Sequence, residues 1–226
     1  LLLIITRDIK NIFVGISKKF LFLCFLRGIS FVLMQIFYYI SIINMNFATA
    51  TTLTFSSPIF IVVLSMLVLK EKIGLFRWSA IFIGFGGVLF IMNPTSELFS
   101  YISILPLLAA LCWAISNIVL KFIPEDISSV KINFYSINFS YIGSLIILLF
   151  SSDFSPVENS FDWLLLILIG ILGGVASILF SFAYRVVSPS TLAPFEYLGI
   201  PSSFILGWIF FYEAPIEQLF PGVLGI

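Results

Sequence analysis

Glu196 is the only carboxylate that lies clearly inside a long apolar stretch of this sequence. It stands six residues into the stretch 190–212, ~9 Å of rise if that stretch is an α-helix. A charge at the centre of a bilayer costs ~2.5–3.5 kcal/mol on insertion scales, and less toward the edge. A carboxylate kept there points to a site for a cation, a proton or an amine facing a wet cavity. The plainer reading is a carboxylate that reaches the interface, or that pairs with Arg185 or Arg27. Tyr197 follows it directly. Trp113, Asn117 and Lys121 recur at i, i+4 and i+8, one face of a helix. An aromatic wall with an amide suits a flat or amine-bearing metabolite. Alternatively, Asn117 bonds a neighbouring helix and Lys121 anchors the helix at the interface. Gln35, Tyr38 and Tyr39 form a similar cluster. Pro58 and Pro201 each remove the hydrogen bond to the carbonyl four residues earlier, those of Thr54 and Tyr197. Carbonyls bared at membrane depth either line a cavity or find a buried partner. The candidate substrate-binding set is therefore Glu196, Tyr197, Thr54, Asn117, Trp113, Gln35 and Tyr38.

Other chemistries lack their residues. The 226 residues contain no His, which excludes HExxH metalloproteases, Ser-His proteases and bis-His haem carriers. Cys24 and Cys112 are the only cysteines and form no CxxC pair, so they read as packed thiols. No catalytic residue, metal site or cofactor is expected. No GxxxxGK[ST] loop occurs, so any driving force for transport must come from an ion gradient or from exchange.

The elements that position these residues are membrane spans. The chain is 61% hydrophobic and 10% charged, against about half and about a quarter in soluble domains. Seven apolar stretches are long enough to span: 20–42, 48–69, 75–92, 101–121, 130–150, 163–184 and 190–212. Alternate loops, 6–19, 70–77, 121–131 and 185–189, hold ten of the eleven Lys and Arg, and Arg27 sits near the same end of its helix. The positive-inside rule puts these loops in the cytoplasm. The opposite loops carry Glu97, Asp153, Glu158, Asp162, Glu213 and Glu217 and no base. Zero formal net charge argues against a nucleic-acid partner. Leu1–Ile5 reads as the tail of an earlier span and Gln218–Ile226 as the start of a later one, so a fragment cut at both ends is expected.

When the chain is slid along itself until Glu71 lies on Glu213, Ala48–Ile73 falls on Ser190–Pro215, Thr49 on Thr191 and Leu64 on Leu206. Thr54, Ser57 and Ser65 fall on Glu196, Gly199 and Gly207. Glu71 is on the cytoplasmic side and Glu213 on the far side, so the repeat is inverted, with an odd number of spans per unit. Inverted repeats are built into many secondary carriers, with the substrate near the midplane between halves. Small residues four apart, such as Ala80/Gly84, Ala110/Ala114, Gly170/Gly174 and Ser177/Ser181, read as close helix packing.

The run "FATATTLTFSSPIFIVVLSMLVLKEKI" (47–73) with "RWSAIFIGFGGVLFIMNP" (77–94) resembles the EamA domain of the drug/metabolite transporter superfamily. So does the second copy, "LPLLAALCWAISNIVLK" (105–121) with "SPSTLAPFEYLGIPSSFILGWIFFYEAP" (188–215). "LRG" at 26–28 and "LAPFEYL" at 192–198 are most similar to S-adenosylmethionine uptake carriers, with riboflavin carriers next. The resemblance implies an all-α, polytopic transmembrane helix bundle of ten helices in two inverted five-helix units, both termini cytoplasmic. This chain would then lack the first helix, most of the second and most of the last. Residues 1–94 would be the first repeat and 95–226 the second. The expected function is a secondary transporter of a small organic metabolite by alternating access, in a bacterial inner membrane. S-adenosylmethionine, riboflavin or an amino-acid-like compound is its expected substrate class. Expected partners are that metabolite, membrane lipid, a coupling proton or other ion, and a second copy as a homodimer. The alternative is a lipid-modifying membrane enzyme, which would need clustered titratable groups; Glu71, Glu125 and Asp126 are scattered. A retinal-type receptor would need a Lys within a span, and every Lys lies in a loop or at a helix end.

Overall fold

Lipid offers the backbone no hydrogen-bonding partner, so an apolar run in a bilayer must close its N–H groups on its own carbonyls. In the computed structural model the described residues are 12–13, 15–92, 101–150, 157, 159–202, 205 and 209. Their regular structure is helical, with no strand among them. In chain order, α1 is Lys18–Asn44, α2 Phe47–Thr54, α3 Ser57–Val68 and α4 Leu75–Met92. A 3₁₀ turn, Tyr101–Ser103, leads into α5, Ile104–Ile118, which ends in a second one, Val119–Phe122. Then come α6, Ser129–Phe150, α7, Ser160–Val186, α8, Pro189–Leu192, and a 3₁₀ helix, Ala193–Leu198. Five segments are long and apolar enough to cross a membrane: Lys18–Asn44, Thr49–Val68, Tyr101–Phe122, Ser129–Leu149 and Ser160–Val186. The C-terminal part of the seventh expected span lies largely outside the described residues, as do Glu97, Asp153, Glu158, Glu213, Glu217 and both termini.

The second span, expected as continuous over 48–69, is broken. α2 stops at Thr54 and α3 restarts at Ser57, with Ser56 as N-cap and Pro58 in the first turn of the new helix. Across the break, Ser56 donates N–H and Oγ–H to the Leu53 carbonyl at 3.1 and 2.6 Å. Pro58 therefore sits where its missing N–H would have had no intrahelical partner. It starts a helix rather than kinking one. The seventh span also departs from the α-helix expected: α8 holds four residues before the chain tightens to 3₁₀.

The helices sort into two compact units. The first comprises Leu1–Val32 and Val119–Val186. In it α1 lies on α6 through small residues: a Cβ on Gly28 would fall 2.7 Å from the Ser136 carbonyl oxygen, and Ser140 Oγ donates to the Gly28 carbonyl at 2.9 Å. Phe20 meets Tyr135 edge-on at 5.4 Å, as does Phe25 with Phe139 at 5.6 Å. In α7 only 6% of the most apolar window is buried. A helix that exposes Phe161, Leu164, Ile167, Leu168 and Ile171 is suited to an apolar solvent.

The second unit comprises Leu33–Ile118 and Val187–Ile226. α5 is its centre, with half of its window buried. Ala109, Ala110 and Ala114 are wholly buried, which lets α2 and α3 lie close on α5. Leu69 caps α3, after which Lys70 takes φ 56° and Glu71 N–H returns to the Ser65 carbonyl at 3.2 Å.

Candidate functional site

The site lies in the second unit and begins with the proline pattern after α7. Ser188 is extended (φ −64°, ψ 135°), and Pro189 opens α8. Pro194 then enters the first turn of the 3₁₀ helix Ala193–Leu198. A 3₁₀ helix has ~3 residues per turn and rises ~2 Å per residue, so adjacent side chains leave it ~120° apart. Glu196 and Tyr197 accordingly point to different neighbours.

Glu196 is half-buried and turns to α5 and α3. Trp113 Nε1–H donates to its Oε1 at 3.0 Å, and Ser57 Oγ–H donates to its Oε2 at 3.1 Å. Ser57 is the first residue of α3, so the break at Phe55–Ser56 brings a helix N-terminus to the carboxylate. The partial positive charge of that end favours an anion by ~0.3–1 kcal/mol. An indole and a hydroxyl orient a carboxylate without supplying a counter-charge. The arrangement can hold a proton, an amine or another cationic group beside an aromatic face.

Tyr197 is 1% exposed and packs with Val88 and Ile200, beside Phe55 and Phe85. Its ring lies so close to Gly84 that a Cβ there would fall 2.4 Å from Cδ2. Its hydroxyl is buried without a partner among the described residues. Asn117 is buried and donates back to the Trp113 carbonyl at 3.2 Å, joined there by Ser116 Oγ at 2.8 Å. Thr54 Oγ1 donates back to the Ala50 carbonyl at 2.9 Å. The Tyr38 hydroxyl meets Thr51 Oγ1 at 3.3 Å, tying α1 to α2. Gln35 is exposed on α1. The structure therefore joins Glu196 to Trp113 directly and to Asn117 through the Trp113 backbone. It places Thr54, Tyr38, Gln35 and Tyr197 in other local settings. The expected face Trp113–Asn117–Lys121 does not continue to Lys121, because the helix tightens to 3₁₀ after Ile118. Lys121 Nζ donates to the Arg185 carbonyl at 2.9 Å.

The two arginines considered as partners for Glu196 make their bonds elsewhere. Arg185 donates to the Pro124 and Ile127 carbonyls and to Ser129 Oγ, while Arg27 donates to Asn133 and Ser181. Sequence reasoning missed Ser57 as a ligand of the carboxylate; a Ser-Pro pair in a polar stretch is the helix-start signal that marks it. It also missed the link in which Arg77 Nη1 donates to Ser190 Oγ at 2.8 Å and Ser190 donates on to Glu71. A groove of about 360 Å³, lined by Phe76, Arg77, Ala80, Thr191, Pro194, Phe195 and Leu198, lies on another side of the same 3₁₀ helix.

The chain matches the EamA-like transporter family over residues 1–93 and 100–226. It is 31% identical over 170 residues to a riboflavin transporter of Vibrio cholerae, covering 75% of this chain and 56% of the relative. It is 28% identical over 178 residues to an S-adenosylmethionine uptake transporter of Rickettsia conorii, covering 79% of this chain and 60% of the relative. The chain thus spans less than two thirds of the length of either. A solved crystal structure superposes with a TM-score of 0.70 at 16% identity, covering 93% of this chain and 85% of the other, a likeness of fold alone. The family match covers nearly the whole chain and five described helical segments are long and apolar enough to cross a membrane, and the chain belongs to the EamA-like transporter family of membrane proteins.

Proposed function

We propose that this chain carries the substrate-contacting part of a secondary transporter for a small organic metabolite, and that it is not an enzyme. The observation that carries the reading is Glu196, its two oxygens held by Trp113 and Ser57 at the start of an interrupted helix. Discontinuous helices whose ends meet charged groups near the midplane are how many carriers build their sites. The named relatives suggest riboflavin and S-adenosylmethionine as first candidates. Glu196, Trp113 and Ser57 form the proposed centre, with Asn117 supporting the Trp113 turn and Tyr197, Thr54, Tyr38 and Gln35 further out. Residues 1–94 and 95–226 act as inverted repeats that alternate access across a bacterial inner membrane, driven by an ion gradient or by exchange. Membrane lipid and a second copy of the chain are its proposed structural partners.

The test is uptake of labelled S-adenosylmethionine, riboflavin and amino acids into proteoliposomes of the full-length protein, with and without a pH gradient. Saturable uptake that Glu196→Gln abolishes is expected. Uptake unchanged in that variant removes Glu196 from the site, and no uptake of any compound in either direction removes the carrier reading.

A further inference from the structure

The groove between the start of α4 and the 3₁₀ helix takes no part in the Glu196 contacts. Its volume of about 360 Å³ lies within the ~300–1,000 Å³ of small-ligand sites. On α4 it lies to the N-terminal side of the place where the Tyr197 ring meets Gly84. Phe76, Phe195 and Leu198 line it and are exposed, so the groove opens on the surface of this unit. Apart from Arg77 and Thr191, the lining side chains are apolar. The Thr191 hydroxyl is already bonded to Ser188 Oγ at 2.6 Å.

Arg77 is the one charged side chain among the lining residues. Nη1 donates to Ser190 Oγ at 2.8 Å, its single hydrogen bond among the described residues. Ser190 donates on to Glu71. Arg77 thus reaches that carboxylate through a hydroxyl, and its Nε and Nη2 retain N–H groups to offer. Lys70 and Lys72 are exposed in the connection just before α4. Over residues 70–77 these three bases and the one acid, Glu71, leave a net charge of +2. Leu75 and Phe76, 86% and 92% exposed, stand among these charges. Bare apolar side chains beside a basic cluster at a helix end suit the boundary between headgroups and acyl chains. The basic residues put that boundary on the cytoplasmic side. Basic pockets between helices on that side take anionic headgroups.

We propose that the groove binds one anionic glycerophospholipid of the cytoplasmic leaflet, its phosphate on Arg77 and its acyl chains against Ala80, Phe195 and Leu198. The guanidinium offers the phosphate charge-assisted hydrogen bonds. The apolar walls beside it favour a ligand with hydrocarbon attached over a free phosphate. The proposal gives one of the lipid partners proposed above a place and a chemistry. It rests on the membrane reading of the chain and not on Glu196 or on transport.

The full-length protein in detergent is titrated with phosphatidylglycerol and, separately, with phosphatidylcholine, and retained lipid is counted by native mass spectrometry. One phosphatidylglycerol per chain, held about tenfold more tightly than phosphatidylcholine, is expected. Arg77→Gln removes that preference. Ala80→Phe, at an exposed position of α4, fills the groove with Arg77 intact and weakens phosphatidylglycerol binding about tenfold or more. Equal affinity of the wild type for the two lipids overturns the proposal. So does Ala80→Phe that binds phosphatidylglycerol as tightly as wild type; either result assigns the groove to another segment of the full-length chain or to a second copy. Displacement of the lipid by an equal concentration of glycerol phosphate would make this a site for a soluble phosphate ester and also overturns it. Should Arg77→Gln not fold, the wild-type comparison and Ala80→Phe still decide. Lipid retention is read without transport, so its failure leaves the uptake test standing, and absent uptake leaves lipid retention readable.

Discussion

Gly84→Ala tests whether Tyr197 is fixed where the structure places it. An added Cβ would meet the ring at 2.4, 2.8 and 3.2 Å, so the ring must retreat ~1 Å to reach ordinary contact. Retreat is hindered because Tyr197 is 1% exposed among Val88, Ile200, Phe55 and Phe85. Overpacking of this kind costs ~1–3 kcal/mol, while Ala gains ~0.8–1.0 kcal/mol over Gly in a helix interior. Gly86 lies on the same helix with nothing within 4 Å of its built Cβ, so Gly86→Ala should show the gain alone. The two variants should then differ by ~1–3 kcal/mol, which is the clash. For a chain of this length that is ~2–4 °C in melting temperature per kcal/mol, read by tryptophan fluorescence during heating in micelles. In a Tyr197→Leu background the ring is gone and the difference should largely vanish. Equal melting of Gly84→Ala and Gly86→Ala would refute the placement of the ring, and so would a penalty that persists unchanged in the Tyr197→Leu background, where the side chain is smaller.

Trp113→Phe and Ser57→Ala each remove one donor to Glu196, worth ~1.5–3 kcal/mol for a charged acceptor. Substrate uptake should fall about tenfold or more in each, and less than multiplicatively in the double variant, measured as initial rates in proteoliposomes. Tyr197→Phe deletes a buried hydroxyl with no partner among the described residues, so thermal stability should hold or rise by up to ~1–2 kcal/mol; a loss of that size would mean the hydroxyl is bonded. Lys70 holds φ 56° at the end of α3, a conformation that costs a side-chain-bearing residue ~1–2 kcal/mol. Lys70→Gly relieves it at a chain-entropy cost of ~0.5–1 kcal/mol, so unfolding should show unchanged or slightly higher stability, whereas Lys70→Val should lower it.

The span positions were readable because a bilayer leaves an apolar run no alternative to a helix. The stretches 20–42, 75–92 and 130–150 reappear as Lys18–Asn44, Leu75–Met92 and Ser129–Phe150. Hydropathy sums over a window, so it reports that 48–69 is apolar enough and does not register a two-residue interruption inside it. Ser56 and Pro58 carried that information as helix-start residues. Glu196 was conspicuous because charge in a span is rare, and Trp113 because of its type, yet their meeting depends on a 3₁₀ turn set by Pro194. Arg27 reads in sequence as one more residue of the basic side. Its burial rests on Asn133 and Ser181, on helices remote in sequence, which no local spacing encodes.

If the chain is read as the proposed inverted repeat, the irregular backbone falls at a common register in the two halves. In the alignment that sets Glu71 on Glu213, the Phe55–Ser56 break falls on Tyr197–Leu198, where the 3₁₀ helix ends, and Thr54 falls on Glu196. The local causes differ: a turn closed by Ser56 in one copy, a proline-started 3₁₀ helix in the other. A shared position reached through different chemistry argues that the departure from α geometry matters more than the residues that produce it. At membrane depth such a departure is tolerated only where protein or a wet cavity receives the backbone. Here one break supplies the first residue of α3 as a donor, and the other turns a carboxylate toward it. Ser57 opens the helix after one break and Glu196 lies within the 3₁₀ helix of the other, so the two irregularities supply the two partners of one hydrogen bond.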